Sequence, residues 1–262
     1  MRVIDALYAS AADLKKSMVP AFIMAWADYT HLHKRTLLGP AWNFLGYLFW
    51  VAGIYFFGRN FVGAGDDNYF SYITVGVAVW TALVAGIMNG ATCYIRKTGI
   101  ISSLPFSLNT YNLSSAILST LYYIQYILLS ALLLLCNDFH AYSSFDPILM
   151  FSSVGLFFVF SYLLSFTLGP IATKFRDILP MLEGFLRVMF FATPVFWRPN
   201  GESFLVKLNE YNPLNQFINI SRSSLDSNME YSLLVTIVYL LILILTSLIS
   251  NFLTKRKIYY WL

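Results

Sequence analysis

The acidic residues best placed to do chemistry in this sequence are Asp177 and Glu183, and each has an arginine beside it. Arg176 precedes Asp177 directly, and Arg187 follows Glu183 by four residues, the favourable order for an ion pair along one helix. A carboxylate held by a guanidinium suits charge neutralisation and orientation more than general acid–base work. A glycan-transferring enzyme calls instead for a carboxylate pair or a metal-ligating cluster near one face. The three histidines, His31, His33 and His140, are too far apart in the expected topology to share a metal ion. No Gly-x-x-x-x-Gly-Lys-Ser/Thr phosphate loop occurs, so any nucleotide energy must come from another chain.

The elements that position these residues are apolar. Of 262 residues 58% are hydrophobic and 11% charged, more apolar surface than a soluble domain of this size can bury. Crossing a hydrocarbon core of ~30 Å takes roughly 20 apolar residues. Six runs qualify: Leu37 to Phe57, Phe70 to Cys93, Leu113 to Cys136, Ile148 to Thr173, Ile178 to Phe196 and Tyr231 to Leu253. The fifth carries Glu183 and Arg187, and charges at that depth face protein or water and often mark function. A purely structural pair fits equally well.

With the N-terminus in the cytoplasm, twelve basic residues fall in inside segments, from Arg2 to Lys257, and four fall outside: Arg59, Arg198, Lys207 and Arg222. That bias puts both termini inside. The net charge of +4 then reflects topology and contact with anionic lipid, and gives no support to nucleic-acid binding. Val19, Phe22, Ile23, Trp26 and Tyr29 recur at helical spacing, so the stretch before His31 is expected to be an interfacial amphipathic helix and not a cleaved signal. Cys93 and Cys136 fall near opposite ends of their spans, too far apart for a disulfide.

Two patterns exceed what a bare helix bundle requires. Asn43, Tyr47, Trp50 and Phe57 recur along the first span, and aromatic faces of this kind stack on sugar rings. The second span carries a small, polar stripe of Ser71, Thr74, Ala78, Thr81, Ala85, Asn89 and Thr92, which suits close helix packing. The loop from Arg96 and Lys97 through Ile100, Ile101 and Leu104 to Pro105 has the makings of a short amphipathic helix able to dock in a groove on a partner. An ordinary positive-inside connection has the same composition.

In order along the chain stand His33-Lys34-Arg35-Thr36-Leu37-Leu38-Gly39-Pro40-Ala41-Trp42, then Lys174-Phe175-Arg176-Asp177-Ile178, then Phe190-Phe191-Ala192-Thr193-Pro194-Val195-Phe196, then Asn212-Pro213-Leu214 with Arg222. Together they resemble the permease subunit of ABC-2-type polysaccharide exporters. The ending Lys255-Arg256-Lys257-Ile258-Tyr259-Tyr260-Trp261-Leu262 looks most like the O-antigen, or lipopolysaccharide, branch. The resemblance runs from about Pro20 to the C-terminus. One departure is Ala27-Asp28-Tyr29-Thr30, where members commonly carry an Arg-Asp-Leu-Lys pattern.

The resemblance implies an all-α membrane protein of the bacterial inner membrane, multi-pass, forming one domain over 1–262. Residues 1–36 would be interfacial, 37–253 a six-helix bundle and 254–262 a cytoplasmic tail. It implies a second copy of this chain and two separate ATPase chains, which use ATP and Mg while this chain binds no cofactor and catalyses nothing. The cargo would be a polyprenyl-linked polysaccharide moved outward, with membrane lipid around it. Arg176 and Asp177 would mark the cytoplasmic entrance. Pro194 would lead into an external re-entrant hairpin running to Asn212, Pro213 and Arg222. The loop carrying Arg96, Lys97, Ile100, Ile101 and Leu104 would couple to the ATPase. A membrane-embedded glycan transferase or assembly factor working without ATP is the alternative, and a passive channel a third.

Overall fold

The structure is a computed structural model that describes residues 2–31, 36–37, 39, 41–61, 69–104, 106–137, 147–199, 203–222, 229–254 and 257–262. The described residues form helices and no strand. In chain order these are α1 (Arg2–His31), α2 (Ala41–Phe61), α3 (Tyr69–Thr92), α4 (Thr98–Ser103), α5 (Leu108–Asn137), α6 (Pro147–Lys174), α7 (Ile178–Ala192), α8 (Phe204–Glu210), α9 (Pro213–Ser221), α10 (Met229–Thr254) and α11 (Ile258–Trp261). Several predicted features lie outside the described residues: His33 to Arg35, Leu38 and Pro40 of the opening motif, Pro105, His140, and Lys255 with Arg256.

Five of these helices, α2, α3, α5, α6 and α10, are long and apolar enough to cross a membrane. Each matches one of the apolar runs. The run from Ile178 to Phe196 is realised differently: α7 has 15 residues and stops at Ala192. The reason is local. Thr193 adopts an extended backbone, as the residue before a proline prefers, and Pro194 cannot continue the helical hydrogen-bond ladder. At about 1.5 Å per residue α7 reaches roughly 22 Å, short of a full span on its own.

α3 is the axis of the bundle and packs against α2, α5, α6, α7 and α9. Its small, polar stripe is what permits this. Ser71, Thr74 and Ala78 are buried, and the hydroxyls of Thr74, Thr81 and Thr92 donate to the carbonyls of Phe70, Val77 and Met88 one turn back, which satisfies them within the helix. Gly86 and Gly90 form a Gly-x-x-x-Gly face against α6: a methyl at Gly86 would stand 2.9 Å from the Phe157 ring. The core continues through Tyr123 stacked on Phe157, with ring centroids 4.5 Å apart, and Phe160 against Phe217.

α1 is longer than the amphipathic stretch read from the sequence and carries two working faces. Ser17, Ala21 and Ala25 are buried against α5, where Thr110 donates to the Ser17 hydroxyl at 3.0 Å. Val19, Phe22, Ile23 and Trp26 remain exposed on the other side, an unpaired apolar face of the kind that lies in a lipid interface. Pro20 is accommodated inside the helix.

Candidate functional site

The break after α7 creates the most densely bonded polar centre among the described residues. Arg222, at the C-terminal end of α9, is 1% exposed. Its guanidinium donates from Nε to the Tyr72 carbonyl at 3.1 Å, from Nη1 to the Pro194 carbonyl at 2.8 Å, and from Nη2 to the Val195 carbonyl. It also lies over the Tyr72 ring, 3.5 Å from the centroid, and the Tyr72 hydroxyl donates to the carbonyls of Pro194 and Trp197. The carbonyls of Pro194, Val195 and Trp197 are free because the chain has left the helix there, whereas that of Tyr72 lies within α3. A charged donor with several fixed N–H groups is the side chain that can satisfy them together. The approach requires Gly76, since a Cβ there would fall 1.8 Å from Nη2 of Arg222.

Asn212 and Pro213 complete this connection. Asn212 caps α9, its side-chain oxygen accepting from the Leu214 N–H at 3.0 Å, with Pro213 in the first turn. The Asn212 amide donates to the Thr193 hydroxyl at 3.1 Å, and Asn209 donates to the Ala192 carbonyl at 2.8 Å. Residues Pro194, Asn212, Pro213 and Arg222, predicted from separate motifs, thus meet in one place. Sequence reasoning missed Tyr72 and Gly76, whose only signal was a glycine one turn after a tyrosine in a buried helix.

A second arrangement is a furrow between α2, α3 and α7. Its wider part, about 510 Å³, is walled by Trp50, Trp80, Val84, Met88, Leu186 and Phe190, with Glu183 and Arg187 at its rim. A narrower part of about 260 Å³ shares Trp50, Phe190 and Phe191 and continues past Ile54 and Phe57 to Phe196. The rings interlock: Trp50, Trp80 and Phe196 each lie within 5.7 Å of Phe190, centroid to centroid. Glu183 and Arg187 approach to 3.8 Å, the arginine side chain 80% exposed.

The predicted aromatic face of α2 therefore divides. Trp50 and Phe57 line the furrow, whereas Tyr47 is buried towards α3 and α5, its hydroxyl donating to the Thr74 carbonyl at 2.8 Å and its ring against Tyr126. Asn43 also turns inward and donates to Gln125 at 3.3 Å.

At the opposite end of α3, Lys97 is 5% exposed. Its ammonium pairs with Asp28 of α1 at 3.3 Å and donates to the Ser114 hydroxyl of α5. Burial lowers the Lys97 amine below its ordinary range, and the Asp28 carboxylate opposes that shift. Arg96 is exposed and donates to Asn89 at 3.0 Å. In the loop beyond, Ile101 is 8% exposed and packs with Tyr94, Leu108, Tyr111 and Ile258, whereas Ile100 and Leu104 are exposed. Three apolar residues expected to present one face thus serve two purposes. Arg176 and Asp177 are exposed in the short turn between α6 and α7.

Comparison with known proteins finds no matching family model and no matching curated protein.

Proposed function

We propose that this chain is the membrane-spanning permease subunit of an ATP-driven exporter that moves a lipid-linked polysaccharide, of the O-antigen type, from the cytoplasmic side of a bacterial inner membrane outward. The observation that carries the reading is the aromatic furrow. Trp50, Trp80, Phe190 and Phe191 form a continuous apolar wall leading from the Glu183–Arg187 pair towards Phe57 and Phe196. Such walls hold sugar rings by their C–H faces and leave the hydroxyls to water, so a polymer can slide without strong fixed bonds.

In this reading α2, α3, α5, α6 and α10 cross the membrane, and α7 crosses with the extended segment that follows it. α8 and α9 then turn back as a re-entrant hairpin anchored by Arg222, and both termini lie in the cytoplasm, as the basic-residue bias favours. α1 rests in the cytoplasmic interface on its exposed apolar face. A second copy of the chain closes the open side of the furrow. Two ATPase chains supply ATP hydrolysis and engage the exposed Ile100 and Leu104. The Lys97–Asp28 pair ties that loop to α1 and α5, so a push on the loop moves both helices.

The test is export in the native cell. Removing the chain should leave completed lipid-linked glycan on the cytoplasmic face, inaccessible to an external lectin or glycosidase, and restoring it should return the glycan outside. Normal surface glycan without the chain rejects the reading.

A further inference from the structure

α4 has six residues and no side-chain cap at its N-terminus, so it has no stability of its own. Its one buried residue is Ile101. The cluster that closes over Ile101 draws on three parts of the chain: Tyr94 just after α3, Leu108 and Tyr111 of α5, and Ile258 of α11, with Trp261 and Leu262 packed at its edge. Three of the last five residues thus join it. Ile258 is 2% exposed, whereas its neighbours Tyr259 and Tyr260 are exposed.

The end of the chain is itself tied down. α10 stops at Thr254, the Lys257 N–H donates back to the Thr254 carbonyl at 2.8 Å, and α11 packs against α6. There the Lys174 ammonium lies over the Trp261 ring, 5.5 Å from its centroid, and over the Phe175 ring at 4.7 Å. A cation at such distances is attracted to an aromatic face.

The loop is therefore gripped from two sides. Lys97, just before α4, binds Asp28 of α1 and Ser114 of α5, and α1 packs on α5. Ile101, within α4, is tied through Ile258 to α11, and so to α6 and α10, which pack on each other. Close-packed side chains transmit strain, so a displaced loop carries both helix pairs with it.

We infer that residues 258–262 are a transmission strap: they hold the loop by Ile101 and pass its movement to α6 and α10. The inference rests on the exporter reading only for the source of that movement, the ATPase engaging Ile100 and Leu104.

The test has two arms. The first follows amide hydrogen exchange over residues 98–104 in the purified full-length chain in lipid nanodiscs, beside Ile258→Asp, Ile258→Val and a chain ending at Lys257. Exchange there should speed up about tenfold in Ile258→Asp and in the shortened chain, stay unchanged in Ile258→Val, and stay unchanged within α3 and α5 in all of them. The shortened chain adds no side chain, so it carries the test if Ile258→Asp loosens the whole bundle; loosening of the whole bundle in both overturns the inference. The second arm uses inside-out membrane vesicles holding the native complex. The two loosened proteins should keep the ATPase bound, since Ile100 and Leu104 are intact, while glycan translocated per ATP hydrolysed falls several-fold. Unchanged exchange over 98–104, a wild-type yield of glycan per ATP, or loss of the ATPase itself would each overturn the strap. Should no ATPase accompany the chain while exchange still follows Ile258, the exporter reading falls and the hold on the loop stands. ATP-driven export together with exchange indifferent to Ile258 rejects the strap alone.

Discussion

Gly76→Ala isolates the contribution of the buried arginine centre. The added methyl would lie 1.8 Å from Arg222 Nη2, 2.8 Å from its Cζ and 2.6 Å from the Val195 carbonyl oxygen. The last contact is to backbone, so side-chain adjustment cannot relieve it. Arg222 must leave its seat and give up donation to Tyr72, Pro194 and Val195. Hydrogen bonds from a charged donor are worth about 1.5–3 kcal/mol each, and overpacking adds about 1–3 kcal/mol. Part of this is recovered as the displaced guanidinium finds other acceptors, which leaves a net loss of about 3–5 kcal/mol. At about 2–4 °C per kcal/mol for chains near this size, the melting midpoint in detergent should fall by about 10 °C. Gly155→Ala is the control, because nothing lies within 4 Å of its added methyl and alanine favours the helix. A Gly76→Ala protein that melts within about 2 °C of that control would refute the arrangement around Arg222.

Lys97→Met should destabilise the chain by about 1–3 kcal/mol, below the usual figure for a fully buried pair because Asp28 is partly exposed, and Asp28→Asn should restore part of the loss in the double variant; thermal melting of all three reads this. Changing Ile100 and Leu104 together to Asp should leave the melting point unchanged while an associated ATPase is lost on purification. Ile101→Asp should lower the melting point itself, since Ile101 packs inside the chain. Trp50→Ala with Phe190→Ala should reduce glycan export several-fold at equal membrane abundance. Tyr47→Phe, which removes a buried hydrogen bond worth about 1 kcal/mol, should leave export intact; equal export by the two proteins would remove the furrow from the pathway.

The long helices were legible because hydrophobic run length is a one-dimensional property. α7 was legible in place but not in extent: Thr193-Pro194 marked the stop, yet apolar Val195 and Phe196 beyond it read as continuation. The division of α2 was not legible, since Tyr47 and Trp50 sit on adjoining flanks of the helix and only the position of α7 decides which one lines the furrow. Arg222 and Lys97 were read as surface charges from the basic-residue pattern. Their burial depends on partners distant in sequence: carbonyls released where α7 ends, and a carboxylate on α1. The interlocking of the Pro194, Asn212 and Arg222 motifs was foreshadowed by their order along the chain, but the residues that receive them, Tyr72 and Gly76, carry no motif of their own.

The central claim, that this chain is driven by ATP hydrolysed on another, is tested most directly by gentle affinity purification of the full-length chain from the cells that naturally make it, followed by assay of MgATP hydrolysis in the eluate. The account predicts hydrolysis by a co-purifying chain that carries a phosphate-binding loop, present in equal amount and lost with the Ile100→Asp, Leu104→Asp protein. Export-competent chain that elutes with no hydrolysing partner contradicts it.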